Sequence, residues 1–122
     1  MITSRYFSER EFQRLTPSCS LQDMSQALMN RLDNARHQAG IPFVLSCAYR
    51  SAAWDRAKGR SGNSAHTRGL AVDIVCHTSA NRYKVVDALL ANGFRRIGIG
   101  KTFIHADIDD TLPNPVIFHY YE

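Results

Sequence analysis

Several features that would settle a class outright are missing from this chain. No apolar run approaches the ~20 residues that a membrane-spanning helix needs, so no membrane span is expected. The opening stretch MITSRYFSEREF has no apolar core of a secretory signal, so the expectation is a protein made in the cytoplasm unless a leader has been trimmed. Cysteine is scarce. Cys19, Cys47 and Cys76 are odd in number and show no C-x-x-C spacing, which argues against a disulfide framework and against a cysteine-type zinc site. Cys47 and Cys76 lie in apolar stretches and read as buried thiols. The formal charge is only +4, no long Lys/Arg run is present, and aromatic residues do not interleave with basic ones. A nucleic acid is therefore not an expected partner. Internal repeats and low-complexity linkers are also lacking. That leaves one domain over residues 1–122, long enough for a two-layer core.

What is present reads as short helices followed by strands. Ser8 with Glu11 fits a capping box and Phe7 with Phe12 a hydrophobic staple, so a short helix through Arg14 is expected, ended by Pro17. Met24, Ala27, Leu28, Leu32 and Ala35 recur at helical spacing, which predicts a helix from about Leu21 to Ala39 with Gly40 as its stop. A strand over Phe43 to Tyr49 delivers Arg50 and Ser51 to its end. Ala52 to Lys58 suits one or two helical turns, and Gly59 to Asn63 is loop by composition. Ser79 to Gly93 reads as another helix. Phe94 to Ile99 and Thr102 to Ile108 form a hairpin, and Val116 to Tyr121 is a last strand. Short strand-to-strand connections favour an α+β fold, a central antiparallel sheet with helices on one face and the functional groups on the other.

Two stretches carry the chemistry: Ser64-Ala65-His66-Thr67-Arg68-Gly69-Leu70-Ala71-Val72-Asp73, and Phe103-Ile104-His105-Ala106-Asp107. In a strand over Leu70 to Cys76, Leu70, Val72, Ile74 and Cys76 share one apolar face, and Asp73 is the single charge on the other. In the second stretch His105 and Asp107 share a face, opposite Ile104, Ala106 and Ile108. A lone charge in a buried strand asks for a partner. Two imidazoles and a carboxylate are the ligand set of an open zinc site, whereas a closed structural site wants four protein ligands, usually rich in cysteine.

The pattern Ser-x-His-x-x-Gly-x-Ala-x-Asp with a later His-x-Asp strand resembles the zinc D-Ala-D-Ala carboxypeptidases, peptidase family M15. That family includes murein endopeptidases and phage endolysins and shares its fold with the hedgehog signalling domain. The resemblance implies zinc on His66, Asp73 and His105, and a hedgehog/DD-peptidase-like fold. Ala48-Tyr49-Arg50-Ser51 is similar to the family's Tyr-Arg-Ser segment, which implies that Arg50 binds substrate or stabilises the scissile carbonyl oxygen. Ser64 stands at the first motif position and is expected to hydrogen-bond substrate, the alternative being a turn-capping hydroxyl. Many members place a Glu or His shortly before the last histidine ligand; this chain has Lys101-Thr102-Phe103-Ile104 there. Asp107, the nearest carboxylate, is the candidate base, its alternative role being to orient a ligand histidine. His119 and Asp109 stand next in line, while His37 and His77 read as surface or rim groups. The function expected from the resemblance is a monomeric zinc-dependent metallopeptidase acting on peptidoglycan stem peptides. A non-catalytic, zinc-stabilised cell-wall-binding module is the alternative.

Overall fold

The computed structural model describes residues 1–121. Helix α1 (Glu9–Gln13) starts at Ser8 with both bonds of the capping box made, and Phe7 and Phe12 are buried together at its flank. Such a cap contributes about 1 kcal/mol. The next helix is shorter than its periodicity suggests. A 3-10 turn (Leu21–Asp23) comes first, Met24 is extended, and α2 (Gln26–Ala39) begins only after its own cap at Ser25. The break has a tertiary cause: the Ser25 N–H donates to the carbonyl of Gly69 (2.9 Å), in the loop that carries His66. Gly40 ends α2 in the left-handed conformation, as expected of a C-terminal glycine.

The strands are β1 (Leu45–Cys47), β2 (Ala71–Val75), β3 (Arg96–Ile99), β4 (Phe103–Asp107) and β5 (Val116–His119), in the sheet order β1-β2-β4-β3-β5. Helices α3 (Ala52–Ala57) and α4 (Ser79–Ala91) fall between β1 and β2 and between β2 and β3. Thr78 caps α4, its hydroxyl accepting from the N–H of Asn81. The first four strands in the sheet order are antiparallel to their neighbours, but β5 runs parallel to β3. The loop after β4 carries the chain past the end of β3 instead of turning tightly, so the sheet is mixed within an α+β fold. Val72, Ile74, Ile97, Ile104 and Ala106 are fully buried on one face, packed with Leu28, Met29 and Leu32 of α2 and Val85 and Leu89 of α4. Helices cover that face, and the polar groups of β2 and β4 emerge on the other.

The loop entering β2 is fixed by Gly69. A second 3-10 turn (Ala65–Arg68) ends at this residue with φ +70°, and an added Cβ would lie 2.3 Å from the backbone oxygen of Asp23. Gly69→Ala is therefore expected to destabilise the protein by more than the ~1–2 kcal/mol of a left-handed alanine alone. It should also loosen the turn that holds His66. Denaturant unfolding checks this: an unchanged midpoint would contradict the contact with Asp23.

Candidate functional site

The register of the sheet assembles the site. Cys47 of β1 lies opposite Asp73 of β2, Asp73 opposite His105 of β4, His105 opposite Gly98 of β3, and Gly98 opposite Phe118 of β5. Residues paired in this way share a face, so one row runs across the whole sheet with Asp73 and His105 near its centre. The next row pairs Ala71 with Asp107 and Asp107 with Arg96. His66 enters from the 3-10 turn before β2.

His66 and His105 converge on the same carboxylate oxygen. His66 Nε2 is 3.4 Å and His105 Nδ1 3.0 Å from Asp73 Oδ1. The remaining nitrogen of each ring is occupied. His66 Nδ1 lies 2.6 Å from the carbonyl oxygen of Ala48, to which it can only donate. His105 Nε2 lies 2.6 Å from Asp107 Oδ2. Without a metal each ring is held protonated and donates to Asp73; on losing that proton, a ring whose other nitrogen donates to a carbonyl or carboxylate presents a lone pair, the arrangement found around ligated metals. The donor set of two imidazoles and one carboxylate suits a borderline cation such as zinc.

A sulfur joins this cluster. Cys47 Sγ lies 3.8 Å from His66 Nδ1, and Cys47, His66 and Asp73 can together face one ion. The sulfur approaches the nitrogen already engaged by Ala48, whereas His105 presents its free nitrogen to Asp73. By mutual distance the possible metal donors are Cys47, His66 and Asp73, and His105 adds a ring nitrogen 3.0 Å from Asp73. All three cysteines are free thiols.

The charges of the cluster are mutually dependent. Burial alone would depress the His66 imidazolium, but the Asp73 carboxylate and the Cys47 sulfur outweigh it and push His66 up to about 10. His105 is likewise raised against the effect of its burial, by Asp107 and Asp73. Asp73 is held well below the usual carboxylate range despite burial, because it accepts from both rings.

Asp107 is completely buried and engaged on both oxygens. Besides His105 it receives Arg96 Nε at 3.0–3.1 Å and the N–H of Asp109 at 3.1 Å. It meets His105 at the nitrogen remote from Asp73. Arg50 lines the same cleft, in an ion pair with Asp55 (2.9 Å) that is poorly aligned for a hydrogen bond. Its Nη1 touches Cys47 Sγ at 3.6 Å. Ser64 also lines the cleft, and its hydroxyl donates to Asp55 Oδ2 at 3.4 Å. Asp109 is not part of the cluster, since Arg68 holds it at 2.6 Å. His119 pairs with Ile99 in register, off the site row, and stacks on Tyr121.

Four participants were not singled out from the sequence as site groups: Cys47, Asp55, Arg96 and Tyr120. Asp55, only 1% exposed, braces Arg50 from one turn into α3. Its spacing five residues after Arg50 was the one available sign. Arg96 reaches Asp107 only through strand register, and Tyr120 reaches the cleft only because β5 lies beside β3.

Comparison with known proteins agrees with this geometry. No curated protein matches the chain. A family model described as Peptidase M15 matches residues 5–108, a span that holds His66, Asp73, His105, Asp107 and Arg50. Peptidases of this family are metal-dependent, and a match over most of the chain shows that the protein belongs to the M15 peptidases.

Proposed function

We propose that this M15 peptidase is a zinc enzyme hydrolysing peptide bonds in peptidoglycan stem peptides, as a D-Ala-D-Ala carboxypeptidase or a murein endopeptidase. The observation that carries the reading is the convergence of His66 Nε2 and His105 Nδ1 on one oxygen of Asp73, with the other ring nitrogens tied. His66, Asp73 and His105 would hold the ion. When bound there, zinc supplies Lewis-acid polarisation of the scissile carbonyl and activation of water at neutral pH. The chain's own groups do the rest. Ala48 and Asp107 fix the two rings. Arg50, braced by Asp55, offers its planar fork to a carboxylate or carbonyl oxygen of the substrate. Ser64 stands beside it with a hydroxyl that can donate to the peptide.

Metal analysis and an assay test this together. Protein purified without added metal should hold one zinc, and His66→Ala/His105→Ala should hold none. A D-Ala-D-Ala peptide or purified murein should be hydrolysed, and a chelator should stop it. Full zinc occupancy in the double variant would end the ligand assignment.

One observation favours a second reading. Among the described residues lining the cleft, no carboxylate or imidazole stands outside the cluster of His66, His105 and Asp107. A non-catalytic, zinc-stabilised wall-binding module would look like this. Zinc-loaded protein that binds murein and cuts no bond in it would establish that alternative.

Asp107 is assigned here as a positioning residue rather than the base. In Asp107→Asn, zinc affinity should fall about 10–100-fold while turnover at saturating zinc stays near normal. A base would behave in the opposite way, keeping zinc but losing about 10²–10⁴ in rate. Titrating zinc in the assay separates the two.

Acidity should act on the metal-free and loaded forms in opposite directions. His66 has its folded value raised from 6.5 to about 10, so its contribution to stability is full below 6.5 and is lost as pH rises toward 10. Asp73 is lowered from 3.8, so its contribution is full above 3.8 and is lost as pH falls below it. The chelated protein should be best held between these limits. Zinc needs unprotonated imidazoles, and its binding releases their protons. The gap in melting temperature between loaded and chelated protein should thus widen from about pH 5.5 to about pH 8. A gap independent of pH would contradict the proton release.

A further inference from the structure

We propose that Tyr120 is a catalytic residue whose phenol O–H donates a hydrogen bond to the oxyanion formed on the scissile carbonyl. This rests on the hydrolytic reading of the site.

The residues just before His105 are Lys101, Thr102, Phe103 and Ile104, none of them a carboxylate or an imidazole. On that side of the cleft the polar group comes instead from the end of β5. Tyr120 lines the cleft with Arg50, Ser64, His66 and His105. Its backbone N–H donates to the carbonyl of Ile99 at 3.0 Å, which anchors it one residue past the strand. Its ring packs on Phe103 and Phe118, at centroid distances of 5.1 and 5.6 Å, and stands edge-on to the His105 ring at 6.5 Å.

Gly98 makes the seat. It is the cross-strand neighbour of His105, and a Cβ there would come within 2.7 Å of Tyr120 Cε2 and 2.6 Å of Phe118 Cε2. The missing side chain lets both rings lean over β3 toward His105. A phenol carries its proton at neutral pH, so Tyr120 offers the cleft an O–H donor. The sheet order places β1 and β5 at opposite edges, so Arg50 and Tyr120 stand on opposite walls of the cleft.

The chemistry balances without a co-reactant. The oxygen of water bonds to the carbonyl carbon and the π pair moves onto the carbonyl oxygen, which becomes the oxyanion that Tyr120 faces. The pair then returns as the C–N bond breaks, and the proton released by water passes to the leaving nitrogen. The phenol keeps its own proton throughout. Its bond matters because the oxygen gains charge as the barrier is approached.

The test is Tyr120→Phe in the zinc-loaded chain, read by kcat, KM, zinc content and affinity for a phosphinate analogue of D-Ala-D-Ala, whose tetrahedral anion mimics the intermediate. Loss of one such donor should lower kcat by about 10²–10³ and weaken the phosphinate correspondingly. KM and zinc content should not change. Unchanged kcat and phosphinate affinity would overturn the proposal, as would a loss confined to KM. An inactive but zinc-loaded wild type would instead count against the hydrolase reading. The phosphinate arm would then still decide on Tyr120, because it needs no turnover, and equal affinity in the two proteins would remove the donor. A wild type that binds no phosphinate would overturn both.

Discussion

The pairing of β2 with β4 in the register that sets Asp73 against His105 is the constraint on which the site depends. Strand side chains alternate, so a slip of one residue would carry Asp73 and His105 into the core and turn Ile74 and Ile104 to solvent. The register is set from the other face. Val72, Ile74, Ile104 and Ala106 are all fully buried against the helices. Burying a large aliphatic side chain contributes about 1.5–3 kcal/mol, so a slip that exposed this set would cost several times the worth of any polar contact on the site face. The core thereby positions donors that have no means of positioning themselves.

The buried charges form a line of alternating sign: His66, Asp73, His105, Asp107 and Arg96, each in contact with the next. Moving any one of them out of water costs several kcal/mol. The line offsets this because each interior member has an opposite partner on both sides. It also fixes chemistry. Asp107 accepts from Arg96 and meets His105 Nε2, and His105 Nδ1 is left to face Asp73. Each group settles the state of its neighbour.

The fold and the strand residues that meet in the cluster were legible in the sequence. A period of two with one charge in an apolar run identifies both a strand and a residue that needs a partner, and Asp73 stood out in this way, while His105 stood out as a polar residue sharing a strand face with Asp107. The capping box at Ser8 and the stop at Gly40 are local signals and were equally readable. The unread features are tertiary. The break at Met24 comes from the docking of Gly69 against Asp23 and Ser25, which no periodicity in α2 records. The parallel placement of β5 depends on the path of the loop after β4. Arg96 became visible only with the register of β3, and Asp55 only with the fold of α3 back onto Arg50. Cys47 was read correctly as a buried thiol, but its place opposite Asp73 follows from an irregular pairing of β1 with β2.

The sheet order also divides the labour of the site. β2 and β4, which carry Asp73 and His105, are interior strands hydrogen-bonded on both sides. Interior backbone has little freedom, and the donor atoms of a metal must be held within tenths of an ångström to bind tightly. β1 and β5 are edges, each paired on one side only, and both expose apolar side chains: Val44 just before β1 is 59% exposed and Ile117 in β5 is 61% exposed. Arg50 follows the first edge and Tyr120 the second. A strand free on one side can shift without disturbing the ladder beneath it. On the proposed reading, groups that close on a substrate sit at the edges, and groups that would hold an ion sit where the ladder is complete. In the linear sequence the two wall residues flank the cluster, with Arg50 before His66 and Tyr120 after His105. Only the crossing of β3 by the chain on its way to β5 brings the two walls to either side of the donors.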